Sequence, residues 1–459
     1  MNKGGSMWRL DKIFAGIFFL FFFSFMSSAE TLNWTVEQFE EYGLQHSPLL
    51  KISELNVSEA KMDVVSALSS LLPEVSASGY RIFNHKLGEM VIKMPDPMTG
   101  ELRVQRFKMG TSDNIGGSII IKQNIFTGGA LINSLKMRKY AYNSSKYSFK
   151  FTKQQLKLNI RALYYQILFL QKLVNVYQES YNRTKENLRI VELLYKNKGA
   201  SKFEKLRAEV DFKNTLPKLE GAKKDLSTAI ANFKKLIGLP LDTDIQLSDE
   251  LDTINDTIIQ KYKTLDEMKK VALENRADLK QSYWNMKIAE KGVNLSFSNF
   301  LPKIFYQYEN AYQANIDNLG TFKFPKDDEW INSAKSTIGI SLPIFTGFKN
   351  TSQYKKSRMQ RLQAKYVYDD KAKEVLINVE TAYKEYQIAK ENLDTYTTTY
   401  EQAKEGYKIA KILYENGGAS QLDLISAQES LTQASTFYFK SIADYNVAYY
   451  NLLLALGIL

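Results

Sequence analysis

Apolar side chains recur between residues 156 and 195 in alternating steps of four and three: Leu156, Ile160, Leu163, Ile167, Leu170, Val174, Tyr177, Tyr181, Thr184, Leu188, Val191 and Tyr195. The same alternation returns without a miss at Val375, Val379, Ala382, Tyr386, Ala389, Leu393, Tyr396, Tyr400, Ala403, Tyr407, Ala410 and Tyr414. A period near 3.5 residues keeps one stripe facing a partner helix while the pair supercoils, so both runs predict coiled-coil seams. No proline interrupts the stretch from Gly129 to Tyr195 or its counterpart, and a helix of that length spans roughly 100 Å at ~1.5 Å per residue. Long helical hairpins are therefore expected over 129–238 and 348–459. The second seam, rich in Ala and Tyr, suits close, curved packing better than a thick globular core.

Upstream of each hairpin the period changes to two. Val75 to Phe83, Ile115 to Ile125, Ile304 to Tyr312 and Thr337 to Ile344 alternate, most clearly where Ile338, Ile340, Leu342 and Ile344 interleave with Thr337, Gly339 and Ser341. These predict strands at 74–84, 115–126, 303–313 and 336–345. Such runs fit a transmembrane β-barrel and also a soluble sheet of two hairpins. Four strands are too few to close a barrel, since the smallest have about eight, so a membrane barrel requires several chains. The connections 85–113 and 314–335, with Pro95, Pro97, Gly100, Asp327 and Asp328, are expected as outside loops. Helices at 35–72 and 264–300 precede the strands. Their starts, Thr35 with Gln38 and Thr264 with Glu267, read as capping boxes.

The two halves run in register. Thr35 and Thr264 lie 229 residues apart, as do Leu72-Pro73 and Leu301-Pro302; Ile125–Gly128 and Ile344–Gly347 lie 219 apart, as do Tyr195 and Tyr414, and Gly238 and Gly457. The difference is ten extra residues between about 84 and 115, where a chain looping into solvent tolerates insertion. Two repeats follow, 30–238 and 264–459, joined by a linker at 239–263.

Composition removes most chemistry. Lys3, Arg9 and Lys12 precede an apolar run from Ile13 to Met26, and Ser27-Ser28-Ala29 has cleavage-site spacing, so residues 1–29 read as a removable export signal. The chain holds no Cys and two His, and its +11 charge is spread along helical faces, not clustered as for nucleic acid. Neither His46, in a helix–helix turn, nor His85 has ligand spacing around it, and no phosphate loop or nucleophile elbow occurs. No catalysis, metal or cofactor is expected.

Together these features resemble the TolC-like outer-membrane efflux family along the whole chain beyond the export signal. The specific marks are the strand ends Gln123 to Gly129 (QNIFTGG) and Leu342 to Phe348 (LPIFTGF), and two similar helix stops, LYKNKGAS at 194–201 and LYENGGAS at 413–420. The family turn has Tyr, Gly three later, Ser or Thr six later and an acid nine later. Tyr414, Gly417, Ser420 and Asp423 fit it completely. The first turn keeps Tyr195, Ser201 and Glu204 but has Lys198 at the glycine place, with Gly199 beside it. Asn124 likewise stands where the family often has the proline seen at Pro343.

The resemblance implies a mainly α fold with a β-barrel portion, assembled as a homotrimer. Its 12-stranded barrel in the outer membrane would continue into a 12-helix periplasmic tube that meets a periplasmic adaptor and an inner-membrane transporter. Conduction would be passive. The turns would be the periplasmic tips, with Lys198, Gly199, Ala200, Ser201, Gly417, Gly418, Ala419 and Ser420 as the adaptor contact. Glu204, Tyr414, Asp423 and Ser426 would form the gate. Asp423, one per chain, would ring the entrance, where neighbouring carboxylates raise one another's pKa; Ser426 replaces the family's next acid and thins that ring. The family's arginine in the closing network falls at Ala419, and Lys198 is either its substitute, pairing with Glu204 or Asp423, or a solvated lysine. Two rival readings remain: a periplasmic adaptor, which has one hairpin with flanking β-domains, and a non-conducting exported coiled-coil scaffold, which needs neither strands nor tips.

Overall fold

The structure is a computed structural model that describes residues 32–98, 100–317 and 324–459. The expected export signal at 1–29 and part of the second long connection lie outside these residues. The chain begins with β1 (Leu32–Trp34), α1 (Val36–His46) and α2 (Pro48–Ser69). Thr35 caps α1 reciprocally with Gln38, and Pro48 starts α2 at a position where a missing N–H costs no helical bond. Then come β2 (Glu74–Phe83), β3 (Gly88–Pro95), β4 (Leu102–Met109), β5 (Asp113–Phe126), α3 (Ala130–Lys196) and α4 (Lys202–Ile237). Past β6 (Ile245–Leu247) and the short α5 (Thr257–Gln260), the order resumes with α6 (Leu265–Asn275), α7 (Ala277–Phe297), β7 (Lys303–Ile316), β8 (Trp330–Ser341), α8 (Lys349–Glu415) and α9 (Gln421–Leu456). Helices α3 and α8 each have 67 residues, and α4 and α9 each have 36.

Three expectations are corrected. The 85–113 connection is not a plain loop: β3 and β4 pair antiparallel from Gly88↔Met109 to Pro95↔Leu102, because Met90, Ile92, Val104 and Phe107 carry enough β-propensity to form a ribbon. The strand expected at 336–345 runs from Trp330 to Ser341 instead. Pairing with β7 extends its start to Trp330↔Ala314, and Pro343, which has no N–H to donate, ends the ladder before Leu342 and Ile344. At α6 the capping box is only half formed: Thr264 accepts from the Glu267 N–H, but the Glu267 carboxylate accepts from the Lys263 N–H, one residue before the cap.

The sheet is antiparallel in the order β2-β5-β7-β8. Its register sorts the side chains by face. Val75, Ile119, Ile121, Tyr306, Tyr308, Ile338 and Ile340 share one face, whereas Ser78, Ser118, Lys122, Gln307, Glu309, Lys335 and Thr337 share the other. On the polar face Glu309 and Lys335 pair at 3.1 Å and the Ser78 and Ser118 hydroxyls meet at 3.1 Å. Among the described residues no helix is long and apolar enough to cross a membrane; this sheet, mainly apolar on one side and mainly polar on the other although Ile120 and Phe305 fall on the polar side and Asn310 and Ser336 on the apolar one, has an alternation that fits membrane strands.

The core sits where the short helices wrap the long ones. Phe39 of α1 packs on Phe233 of α4 at 5.1 Å and on Tyr164 of α3 at 6.1 Å, with Ile160 and Ile237 fully buried beside them. The 239–263 linker is a clasp. Its β6 pairs in parallel with β1, and Asp249 accepts from the Val36 N–H (3.0 Å) and the Tyr164 hydroxyl (2.8 Å). Farther along, Asp256 accepts from Tyr386 of α8 (2.5 Å), Lys390 (3.0 Å), Tyr445 of α9 (3.3 Å) and the Gln260 amide. One linker thus grips both hairpins.

Candidate functional site

The two helix stops named above close the hairpins with one shared backbone design. In the second, α8 ends at Glu415, Gly417 takes φ +74° and the Gly418 N–H returns to the Leu413 carbonyl at 2.7 Å. In the first, Lys198 takes φ +59° and the Gly199 N–H returns to the Leu194 carbonyl, also at 2.7 Å. Lysine therefore occupies the left-handed position itself, at a cost of roughly 1–2 kcal/mol relative to glycine. Gly199 is not in that region, and a Cβ there would meet only Leu194 at ordinary contact distance. Within the single chain, among the described residues, Lys198 forms no ion pair with Glu204 or Asp423. Lys198→Gly is expected to tighten this turn, slowing amide exchange at Gly199 about fivefold for ~1 kcal/mol; an unchanged rate would show that the turn bears no strain.

The acids nine residues after each tyrosine have a local reason that the sequence pattern did not expose. Ser201 and Glu204 form a reciprocal capping box at the start of α4: the Ser201 N–H donates to Glu204 Oε2 (2.6 Å) and the Glu204 N–H to Ser201 Oγ (3.2 Å). Ser420 and Asp423 do the same for α9, at 2.9 and 3.2 Å, with the Ser420 hydroxyl also donating at 2.7 Å. Hydrogen bonds from these serines hold both carboxyls below the usual carboxylate range, Glu204 chiefly through the Ser201 amide and Asp423 chiefly through the Ser420 hydroxyl. Within one chain the shift is downward, opposite to that expected for a ring of acids. Ser426 is exposed three residues farther on.

The tips touch each other within the chain. Gln421 Nε2 donates to the Glu204 carbonyl at 3.0 Å, joining α9 to α4. Burial and the Glu204 charge both raise the Tyr414 hydroxyl pKa, which places the pair near one another, but Glu204 spends its carboxylate on the cap. Higher up, Arg183 of α3 donates to Thr432 Oγ1 of α9 (3.2 Å) and lies over the Tyr407 ring of α8 (5.6 Å). Arg183 and Gln421 were not legible as site residues, because a polar residue on a coiled-coil face carries no mark of what it crosses to. Between the hairpins lies a cavity of about 780 Å³ that Tyr414, Ala419, Ser420, Gly199, Ala200 and Glu204 help to line. The structure thus brings together the first turn, the second turn, Glu204 and Tyr414; Asp423 and Ser426 do not line this cavity.

Known proteins share this organisation. The family model described as outer membrane efflux protein matches residues 43–239 and 269–457. The alkaline protease secretion protein AprF of Pseudomonas aeruginosa is 19% identical over 313 residues, covering 68% of this chain and 63% of its own length, a little under two thirds. Among solved structures, that of CusC superposes with a TM-score of 0.75 at 15% identity, covering 93% of each chain. The outer membrane protein VceC of Vibrio cholerae superposes at 0.73 and 16% identity, covering 92% of this chain and 96% of its own. The fold is that of outer-membrane channels with a large helical extension, and enzymes are not among them. Since the family model spans both long hairpins and the strands of both halves, the chain belongs to the outer membrane efflux protein family.

Proposed function

We propose that three copies form a channel through the outer membrane and periplasm, passively carrying solutes or polypeptides from an inner-membrane transporter and its adaptor to the outside, as in efflux or type I secretion. The observation that carries this reading is a pair of open edges. Among the described residues strands β2 and β8 bound the sheet with no partner on their outer sides, and unpaired backbone cannot face lipid. The long helices pack chiefly in the order α4-α3-α9-α8, leaving α4 and α8 as matching free flanks. Joining β8 to the next copy's β2, and α8 to its α4, closes both layers in one operation. Such head-to-tail contacts make rings, and three copies supply 12 strands and 12 long helices.

In this assembly the apolar sheet face meets lipid and the polar face lines the lumen. The tips, with Lys198 to Ser201 and Gly417 to Ser420, are the adaptor contact. Glu204, Tyr414, Asp423 and Ser426 surround the entrance. The AprF likeness supports secretion as one use of such a channel. The chain purified from outer membranes is expected to migrate as a heat-modifiable trimer and to give single-channel steps in planar bilayers, with Asp423→Ala lowering cation preference. A monomer that never conducts would favour the scaffold reading instead; conduction with unchanged selectivity would remove Asp423 from the gate.

A further inference from the structure

The two turns share a backbone but not a charge. Lys196, Lys198, Lys202, Lys205 and Arg207 surround the first, with Glu204 the only acid between them; 219 residues on, the same places hold Glu415, Gly417, Gln421, Leu424 and Ser426, with Asp423. Lys196, Lys198 and Lys202 are exposed and enter no ion pair among the described residues, whereas Lys205 is tied to Glu209 at 3.4 Å. Beside these lysines runs an apolar stripe at helical spacing: Phe203, Leu206 and Val210 are 65, 48 and 59% exposed. In the second hairpin the corresponding residues are Leu422, Ile425 and Glu429; Ile425 is buried, and Glu429 ends the stripe in a charge. Phe203, Leu206 and Val210 form, with Ile425, the apolar part of a groove of about 450 Å³ between α4 and α9, whose polar lining is Arg207, Asp211, Asn214 and Glu429. A large exposed Phe on a stripe whose turn end carries three unpaired lysines, and whose far end meets Asp211 and Glu429, has the composition of a docking face with a basic end at the turn, not of a solvated helix.

We propose that the first turn and the start of α4 dock an amphipathic helix of a separate polypeptide whose apolar stripe is flanked by carboxylates, and that the second turn is not an equivalent site. The proposal rests on the tip-docking reading above and adds which tip and what partner chemistry. Apolar contact on Phe203, Leu206 and Val210 supplies the binding area; the three unpaired lysines select acidic over basic partners and make the encounter salt-sensitive. The second turn, carrying Glu415 and Asp423, repels the same partner.

The test uses the full chain purified from membranes and fluorescence anisotropy of two labelled synthetic helices. Both carry leucines at i, i+3 and i+7, flanked in one by glutamates and in the other by lysines. At low salt the glutamate helix is expected to bind at least about tenfold tighter, with the preference shrinking as salt shortens the screening length to ~8 Å. Exchanging the lysines for the second turn's residues, Lys196→Glu with Lys198→Gly and Lys202→Gln, removes the preference, whereas Phe203→Ser weakens both helices alike. Equal binding of the two helices, no binding of either, or a preference that survives the exchange overturns the proposal. Failure of tip docking itself reads out differently. Export unaffected by Ala200→Trp combined with Gly417→Trp would remove the tips as docking sites. Export blocked by those changes but indifferent to the lysine exchange leaves docking standing and removes only the charge selection.

Discussion

Asp256→Ala is expected to destabilise the protein by about 3 kcal/mol, because it removes the common acceptor of a buried network and leaves its donors unsatisfied. The Asp256 side chain is 11% exposed and takes hydrogen bonds from the hydroxyls of Tyr386 and Tyr445 on two helices of the second hairpin. Lys390 also reaches it but is 58% exposed, so solvent screening leaves that ion pair worth little. The Tyr386 hydrogen bond, assisted by Lys390 and Gln260, overcomes burial and holds the Asp256 carboxyl at about 2. That value lies below the ordinary aspartate pKa, so the stabilisation is complete above roughly pH 4 and is lost as pH falls towards 2. Denaturant unfolding at pH 7 measures the first effect, and the same titration down to pH 3 measures the second. Asp256→Asn, which keeps the shape and loses the charge, is expected to fall between. If the alanine variant matched the parent protein at pH 7, the clasp would not be holding the second hairpin.

Gly457→Val is the other change with a large expected effect, and Gly238→Val should match it. Each glycine ends the second helix of its hairpin in the left-handed region, at φ +75° and +81°. Each is also pressed against the junction of the two short helices in its own half. A Cβ on Gly457 would lie 2.8 Å from the Arg276 nitrogen, and one on Gly238 would lie 2.6 Å from the His46 carbonyl oxygen. The obstructing atoms are backbone, so no rotamer change relieves the contact. A left-handed β-branched residue with such an overlap is expected to cost more than about 3 kcal/mol, seen as loss of folded protein from the outer membrane. Gly406→Ala supplies the contrast. It lies within α8 with open space around it, and replacing a mid-helix glycine there should stabilise by ~0.5–1 kcal/mol. Equal yields of the Gly457 and Gly406 variants would show that the junction tolerates displacement.

Much of the architecture was legible because periodicity reports directly on burial. Leu156, Ile160 and Ile167, and Val375, Val379 and Tyr386, named from spacing alone, are all buried in the structure. The equal spacing of the two turns found both hairpin ends, and Thr35 with Gln38 located the start of α1. What escaped was pairing. The ribbon of β3 and β4 looked like a loop because Pro95, Pro97 and Gly100 dominate the centre of that stretch, although the turn residues occupy only the bend between two strands. The strand expected at 336–345 was displaced because alternation continues through Leu342 and Ile344, while the ladder depends on the N–H that Pro343 lacks. The acids at 204 and 423 looked like gate residues alone until the short bonds from Ser201 and Ser420 gave each a capping role.

By itself the sequence determined which residues face inward, where the long helices stop and that two halves share one plan. These are local properties: a period, a cap and a glycine at a left-handed position are all written within a few turns of chain. Only the tertiary structure decided that Asp249 and Asp256, seven residues apart in an unremarked linker, grip different hairpins. It also decided that Lys198 itself bears the left-handed conformation that Gly417 takes in the second turn, and that Gln421 and Arg183 cross between helices. All but the Lys198 turn depend on partners tens to hundreds of residues away, whose distance no local pattern encodes. The contrast between the turns needed both: the sequence supplied lysines on one and acids on the other, and the structure showed that the first keeps its whole apolar stripe exposed while the second, exposed at Leu422, buries Ile425.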